Sequence, residues 1–351
     1  MKKITLLLLV AMVFACQTPQ DGEKNVSVDI DTIETNDFYD DAPQKQLESD
    51  FSIIISGEVA DEISLDLSDF PVRSVLFKDT RLTDEGGKFV GAYEFHGVSL
   101  YDILNKIKVE KSNEADYSPI TDLYVTVEND KGDFVVFSWG EIYYAANQHQ
   151  IIIANAVNPI VPSKTKDQWP LPEKAQLIPA LDLFTDRMIE NPTKISIHSC
   201  SGEFPEIPDT ARLFSESFEL YNAGEFIREI KTFDEDLTTQ QVKNTFYGRG
   251  RGIHGITDFV GKWLKDVIAM DYPYDVEALK HGIFVIASVD GYRAVFSFSE
   301  IMNRNDQSEV MIIDRKDVNG GKFRLFVPSD FFSDRAVKSV YKIEYRNLAD
   351  K

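Results

Sequence analysis

The sequence predicts an α+β protein built as a tandem duplication, and three recurring blocks predict it. Gly91, Phe95, Gly97, Leu100, Asp102, Ile103 and Leu104 return at identical spacing as Gly255, Phe259, Gly261, Leu264, Asp266, Val267 and Ile268. Val136, Phe137, Ser138, Trp139, Glu141 and Ile142 return as Val295, Phe296, Ser297, Phe298, Glu300 and Ile301. Asp182, Phe184, Asp186 and Arg187 return as Asp330, Phe332, Asp334 and Arg335. Three blocks in one order place related domains at residues 53–200 and 216–351. A linker at 201–215 separates them, where Gly202, Pro205 and Pro208 interrupt both periodicities.

In the first block, two glycines flanking a phenylalanine suit a tight backbone path, and the apolar positions that follow recur at helical intervals. Asp102 and Asp266 then fall in a first helical turn, where unpaired amides and the macrodipole favour a carboxylate, so capping is their expected role. Before this block, Phe51 to Val59, Ile63 to Phe70 and Val72 to Phe77 read as strands. After it, Leu123 to Val127 and Phe134 to Trp139 flank a turn at Asn129 to Gly132, a hairpin pattern repeated by Ile283 to Val289 and Tyr292 to Phe298 around Asp290 and Gly291. Asn155 to Lys174, with Pro159, Pro162, Pro170 and Pro172, reads as a long loop.

The chain starts with Lys2 and Lys3, an apolar run from Ile4 to Ala15, and Cys16. The run is too short to span a bilayer and reads as a signal peptide over residues 1–16. Val13, Phe14, Ala15 and Cys16 resemble a bacterial lipobox, in which the cysteine is acylated. Phe14 departs from the usual small residue, and a plain secretory signal is the alternative. Residues 17–52 are polar and acidic and read as a tether. The expected location is the bacterial cell envelope, lipid-anchored through Cys16 and periplasmic or surface-exposed. With Cys16 acylated, only Cys200 remains, so no internal disulfide forms. A net charge of −21 argues against nucleic acid and against an anionic membrane surface as partners.

The stretch GVSLYDIL at Gly97 to Leu104, preceded by Gly86 and Gly87 and followed by a hairpin, resembles the molybdopterin-binding domain of the sulfite oxidase family. The second copy is similar through Gly261 to Ile268, Asp290 to Ile301 and Arg324 to Tyr345. The resemblance implies α+β domains with mostly antiparallel layered sheets and short helices. It also implies molybdopterin as cofactor, its molybdenum held by a cysteine in the loop before the helix. The corresponding stretches here, 78–91 and 246–255, contain no cysteine; they carry Arg81 in the first and Arg249, Arg251 and His254 in the second. Arginine cannot replace a soft thiolate ligand. The expectation is therefore a degenerate pair acting as a non-catalytic binding or accessory module; a molybdopterin-dependent oxidoreductase is the alternative.

Tyr247 to Gly252, reading YGRGRG, is the most unusual short stretch in this acidic chain. Glycines let backbone amides approach a ligand, and guanidiniums two residues apart can grip a carboxylate, phosphate or sulfate. Arg249 and Arg251, together with His254 and Arg81 from the stretches that the resemblance aligns with the cofactor loop, are the candidate cofactor-binding residues, for an anionic small molecule or an envelope protein partner. The competing reading is a loop whose arginines pair with the chain's own carboxylates. His198 and Cys200 could face one side of a strand, but two ligands are too few for a metal site. Asp186 with Arg187 and Asp334 with Arg335 read as duplicated scaffold ion pairs. The sequence offers no catalytic constellation: nucleophile elbow, phosphate-binding P-loop and dinucleotide fingerprint are all missing from it.

Overall fold

A computed structural model describes residues 39–40, 42–204, 214–315 and 321–350. The signal peptide, Cys16 and the tether up to residue 38 lie outside the described residues, as does most of the expected linker. In the first copy a five-stranded sheet runs in the order Ile63–Asp66, Ser52–Gly57, Pro192–Ser199, Leu123–Asn129, Phe134–Ser138. The second copy repeats that order with Glu225–Ile230, Phe218–Asn222, Val340–Asn347, Gly282–Ser288 and Arg293–Ser297. In each, only the pairing of the first strand with the last is parallel. A second, antiparallel sheet accompanies each: Arg73–Thr83, Gly86–Ser99, Ile151–Pro159, Gln176–Pro179 and Ile189–Glu190 in the first, and Gln240–Gly248, Gly252–Trp263, Met311–Asp314 and Phe323–Phe326 in the second. We call these the hairpin sheets.

The fold is mostly β. The expected sheets are mainly antiparallel and the expected helices are short, but α-helix is confined among the described residues to Leu100–Leu104, Trp139–Tyr143, Leu264–Ile268, Val276–His281 and Phe298–Met302. Each is too short to stand without packing, so the strands carry the architecture that the α+β expectation divided between the two.

The repeated glycines have a steric cause. A Cβ on Gly97 would sit 2.0 Å from the Ile153 carbonyl oxygen, and one on Gly261 would sit 2.4 Å from that of Ile312. The neighbouring strand approaches too closely for any side chain. Directly after it, Ser99 caps the helix Leu100–Leu104: its hydroxyl accepts from the Asp102 N–H at 3.1 Å and donates to the Asp102 carboxylate at 2.8 Å. Leu100, Ile103 and Leu104 then enter a core with Val125, Phe137 and Ile195, as Leu264, Val267 and Ile268 do with Phe284, Phe296 and Ile343. Each fully buried side chain of this size stabilises the fold by about 1.5–3 kcal/mol.

Two expectations need correction. The end of the stretch read as a tether belongs to the fold: Lys45–Gln46 pairs with Ile151–Pro159 and Leu47 is buried. Composition hides this, because only one apolar side chain there carries the packing. The supposed loop from Asn155 begins inside that same strand, which runs to Pro159, the first of its four prolines.

Candidate functional site

The shared blocks converge on a buried polar cluster where the two copies meet. Arg187 donates to Asp182 at 2.8 and 2.6 Å and to both oxygens of Glu141 at 3.1 Å. Arg335 donates to Asp330 at 2.9 and 2.6 Å and lies 2.6 Å from Glu300. Phe137 lies under Arg187 and Phe296 under Arg335, at 4.3 and 4.5 Å from ring centre to guanidinium carbon. The copies are laced together by hydrogen bonds from Arg187 to Ser297 at 3.1 Å, from Arg335 to Ser138 at 3.3 Å and from Ser138 to Glu300 at 2.6 Å.

Burial pushes the Glu141 and Asp182 carboxyls up and that of Asp330 up to about 6, against the pull of the arginines. Perturbed carboxyls often mark catalysis. Here the void beside Glu141, Asp182, Arg187, Glu300 and Arg304 is about 20 Å³, room for roughly one water. The cluster is scaffold. The arginines pair with the acids five residues earlier, not with neighbouring Asp186 and Asp334. Those two instead accept the backbone N–H of Leu82 at 3.0 Å and of Arg249 at 3.4 Å, each pinning its own copy's hairpin.

The four residues of the expected cofactor loops do not form one site. Arg81 is satisfied within its own copy, 2.7 Å from Asp79 and donating to the Thr185 carbonyl at 3.0 Å. Arg249 lies 3.9 Å from Asp334 with half its side chain exposed. Arg251 and His254 are exposed and have no carboxylate partner among the described residues; His254 packs at 5.4 Å on the Phe246 ring. His254 occupies a bulge in the hairpin, where Phe246 pairs with Gly255 and Tyr247 with Ile253.

Molybdenum does not fit these residues. The two hairpin tips, within 78–91 and 246–255, carry guanidinium, carboxylate and imidazole groups but no thiol. Cys200, the only free thiol among the described residues, lines a cavity of about 630 Å³ with Tyr117, Phe204 and Arg293. Burial raises its pKa to about 11, and its sulfur is 3.3 Å from Arg346. His198 turns instead to Tyr124 and Thr126, so it does not join Cys200.

Sequence reasoning missed Arg324 and Lys338, which are bridged across neighbouring segments beside Phe246. Both lie within the similar stretch Arg324 to Tyr345, but neither is one of its matched positions or part of a glycine-rich loop. Only the strand register brings them to the Arg251 side of the hairpin. No protein-family model matches this chain, and no curated protein matches its sequence.

Proposed function

We propose that the protein is a lipid-anchored binding module of the bacterial cell envelope, composed of two sulfite-oxidase-type, molybdopterin-binding-like copies without molybdenum catalysis. Its ligand is an anionic small molecule, held at the hairpin tip of the second copy. The observation that carries this reading is the exposed pair Arg251 and His254, which has no carboxylate partner among the described residues although the chain's net charge is −21. In so acidic a protein, a guanidinium that stays unneutralised attracts an anion from outside the chain, and a neighbouring imidazole N–H can donate to it. Arg249 supports them, because its contact with Asp334 is long and half exposed and is easily exchanged.

Calorimetric titration with inorganic phosphate tests the site. Replacing Arg249 and Arg251 by Ala should weaken binding roughly tenfold or more, the cost of losing charge-assisted hydrogen bonds. Unchanged affinity in a folded variant contradicts the reading. The anchor is tested in growing cells: labelled palmitate should enter the wild type and not Cys16→Ser, and an unlabelled wild type would leave a plain secreted protein.

A further inference from the structure

The two hairpin sheets can be compared residue by residue, because Gly97 and Gly261 fix a common register. Val98 pairs with Ile153, and Lys262 with Ile312. One strand further out, Gln176 pairs with Ala154 and Arg324 with Ile313. At the next strand, Gln176 faces Glu190, and Arg324 faces Lys338. A neutral residue opposite an acid in the first copy is thus two cations in the second. By the same register, Arg315 stands where the first copy has Ala156.

Directly opposed like charges destabilise a sheet, so this arrangement is unfavourable by itself. Glu190 of the first copy lies 3.2 Å from Lys131 and 3.8 Å from Lys174. Around Arg324 there is no such compensation among the described residues. Its Nε is buried and makes no hydrogen bond, and its guanidinium carbon lies 4.9 Å from the Phe246 ring centre. Burial and then Arg315 lower its pKa, and burial, Arg324 and Arg251 lower that of Lys338. Asp314, the acid next to Arg315, pairs with Phe323, and strand alternation sends it to the opposite face from Arg324.

A buried donor without an acceptor, among like charges that repel, is satisfied by a ligand bearing several negative oxygens. We infer that the hairpin sheet of the second copy holds a compact multivalent oxyanion, centred on Arg324 and flanked by Arg251, Arg315 and Lys338. The inference rests on the hairpin tip being an anion site, and extends that site from the exposed loop onto the sheet. A phosphate-rich or polycarboxylate ligand suits it better than a singly charged one, since four cations converge.

The test is calorimetry with inorganic pyrophosphate on the full chain at fixed ionic strength. Arg324→Gln and Lys338→Glu install the first copy's residues and should each weaken binding roughly tenfold or more. Lys338 is exposed, so its variant serves if Arg324→Gln does not fold. Without anion, Lys338→Glu should raise the thermal midpoint, because it turns a repulsive pair into an attractive one. Pyrophosphate should raise the midpoint of the wild type but not of the variant. If Arg251→Ala weakens binding while Arg324→Gln and Lys338→Glu leave it unchanged, the loop reading stands and the inference is overturned. Weakening by the sheet variants alone overturns the loop reading, and a wild type that binds no pyrophosphate overturns both.

Discussion

The two hairpin sheets share strand order and a bulge at one position, yet among the described residues one is covered and the other is not. In the first copy Lys45–Gln46 adds a strand, and Leu47, Trp169 and Leu171 pack on Val75, Phe77, Tyr93 and Phe95. Trp169 donates to the Ile160 carbonyl and Tyr93 to that of Pro170, fastening the proline-rich segment down. The hairpin of the second copy leaves Ile253 and Ile256 more than half exposed and collects cations beside Phe246. The buried parts, by contrast, match closely: each copy has an arginine gripped by an aspartate and a glutamate over a phenylalanine ring. Packing holds the interior to one solution, and surface residues are free to differ between the copies.

The comparison is broken most severely at the buried cluster. Arg187→Ala and Arg335→Ala each leave an aspartate and a glutamate buried without their cation, and each should cost about 3–5 kcal/mol in urea unfolding. A loss below about 1 kcal/mol in either copy would show that the two clusters are not equivalent supports. Next come Gly97→Ala and Gly261→Ala. Both force a methyl group against a carbonyl oxygen and should cost about 1–3 kcal/mol, with Gly97 the worse because its approach is closer.

A smaller effect appears in pH dependence. The folded Asp330 carboxyl titrates at about 6 against 3.8 for the ordinary value, raised by burial. The folded state therefore holds a proton that the unfolded state releases. This contribution is fully present below pH 3.8 and is lost as pH rises through about 6. Within that window stability should fall by up to roughly 1 kcal/mol per pH unit on this account, and Asp330→Asn should flatten that part of the slope. Identical slopes in wild type and variant would assign the pH dependence elsewhere.

Much of this was legible in the sequence. The order of blocks pointed to the repeated arrangement and helical spacing after Gly97 and Gly261 to the two equivalent helices, whereas the helices that Ser138 and Ser297 cap were read as the ends of hairpin strands. Ion pairing was misread at Asp186 and Asp334, because adjacency along the chain does not reveal which carboxylate a buried guanidinium reaches. Arg81 shared a loop with the other candidates by alignment alone; its partner Asp79 lies on the same strand and removes it from any common site. Arg324 and Lys338 are fourteen residues apart in sequence, and their proximity follows from the antiparallel bridge between them. Register over that distance is set by packing, which composition and periodicity do not encode.

The most direct measurement is a crystal of the protein soaked in selenate, with the anion located by its anomalous scattering. The account predicts a peak within hydrogen-bonding distance of Arg324 and of Arg251 or Lys338, and none beside Gln176 and Glu190. Selenate bound at Arg81 in the first copy, with the surroundings of Arg324 empty at the same concentration, would contradict it.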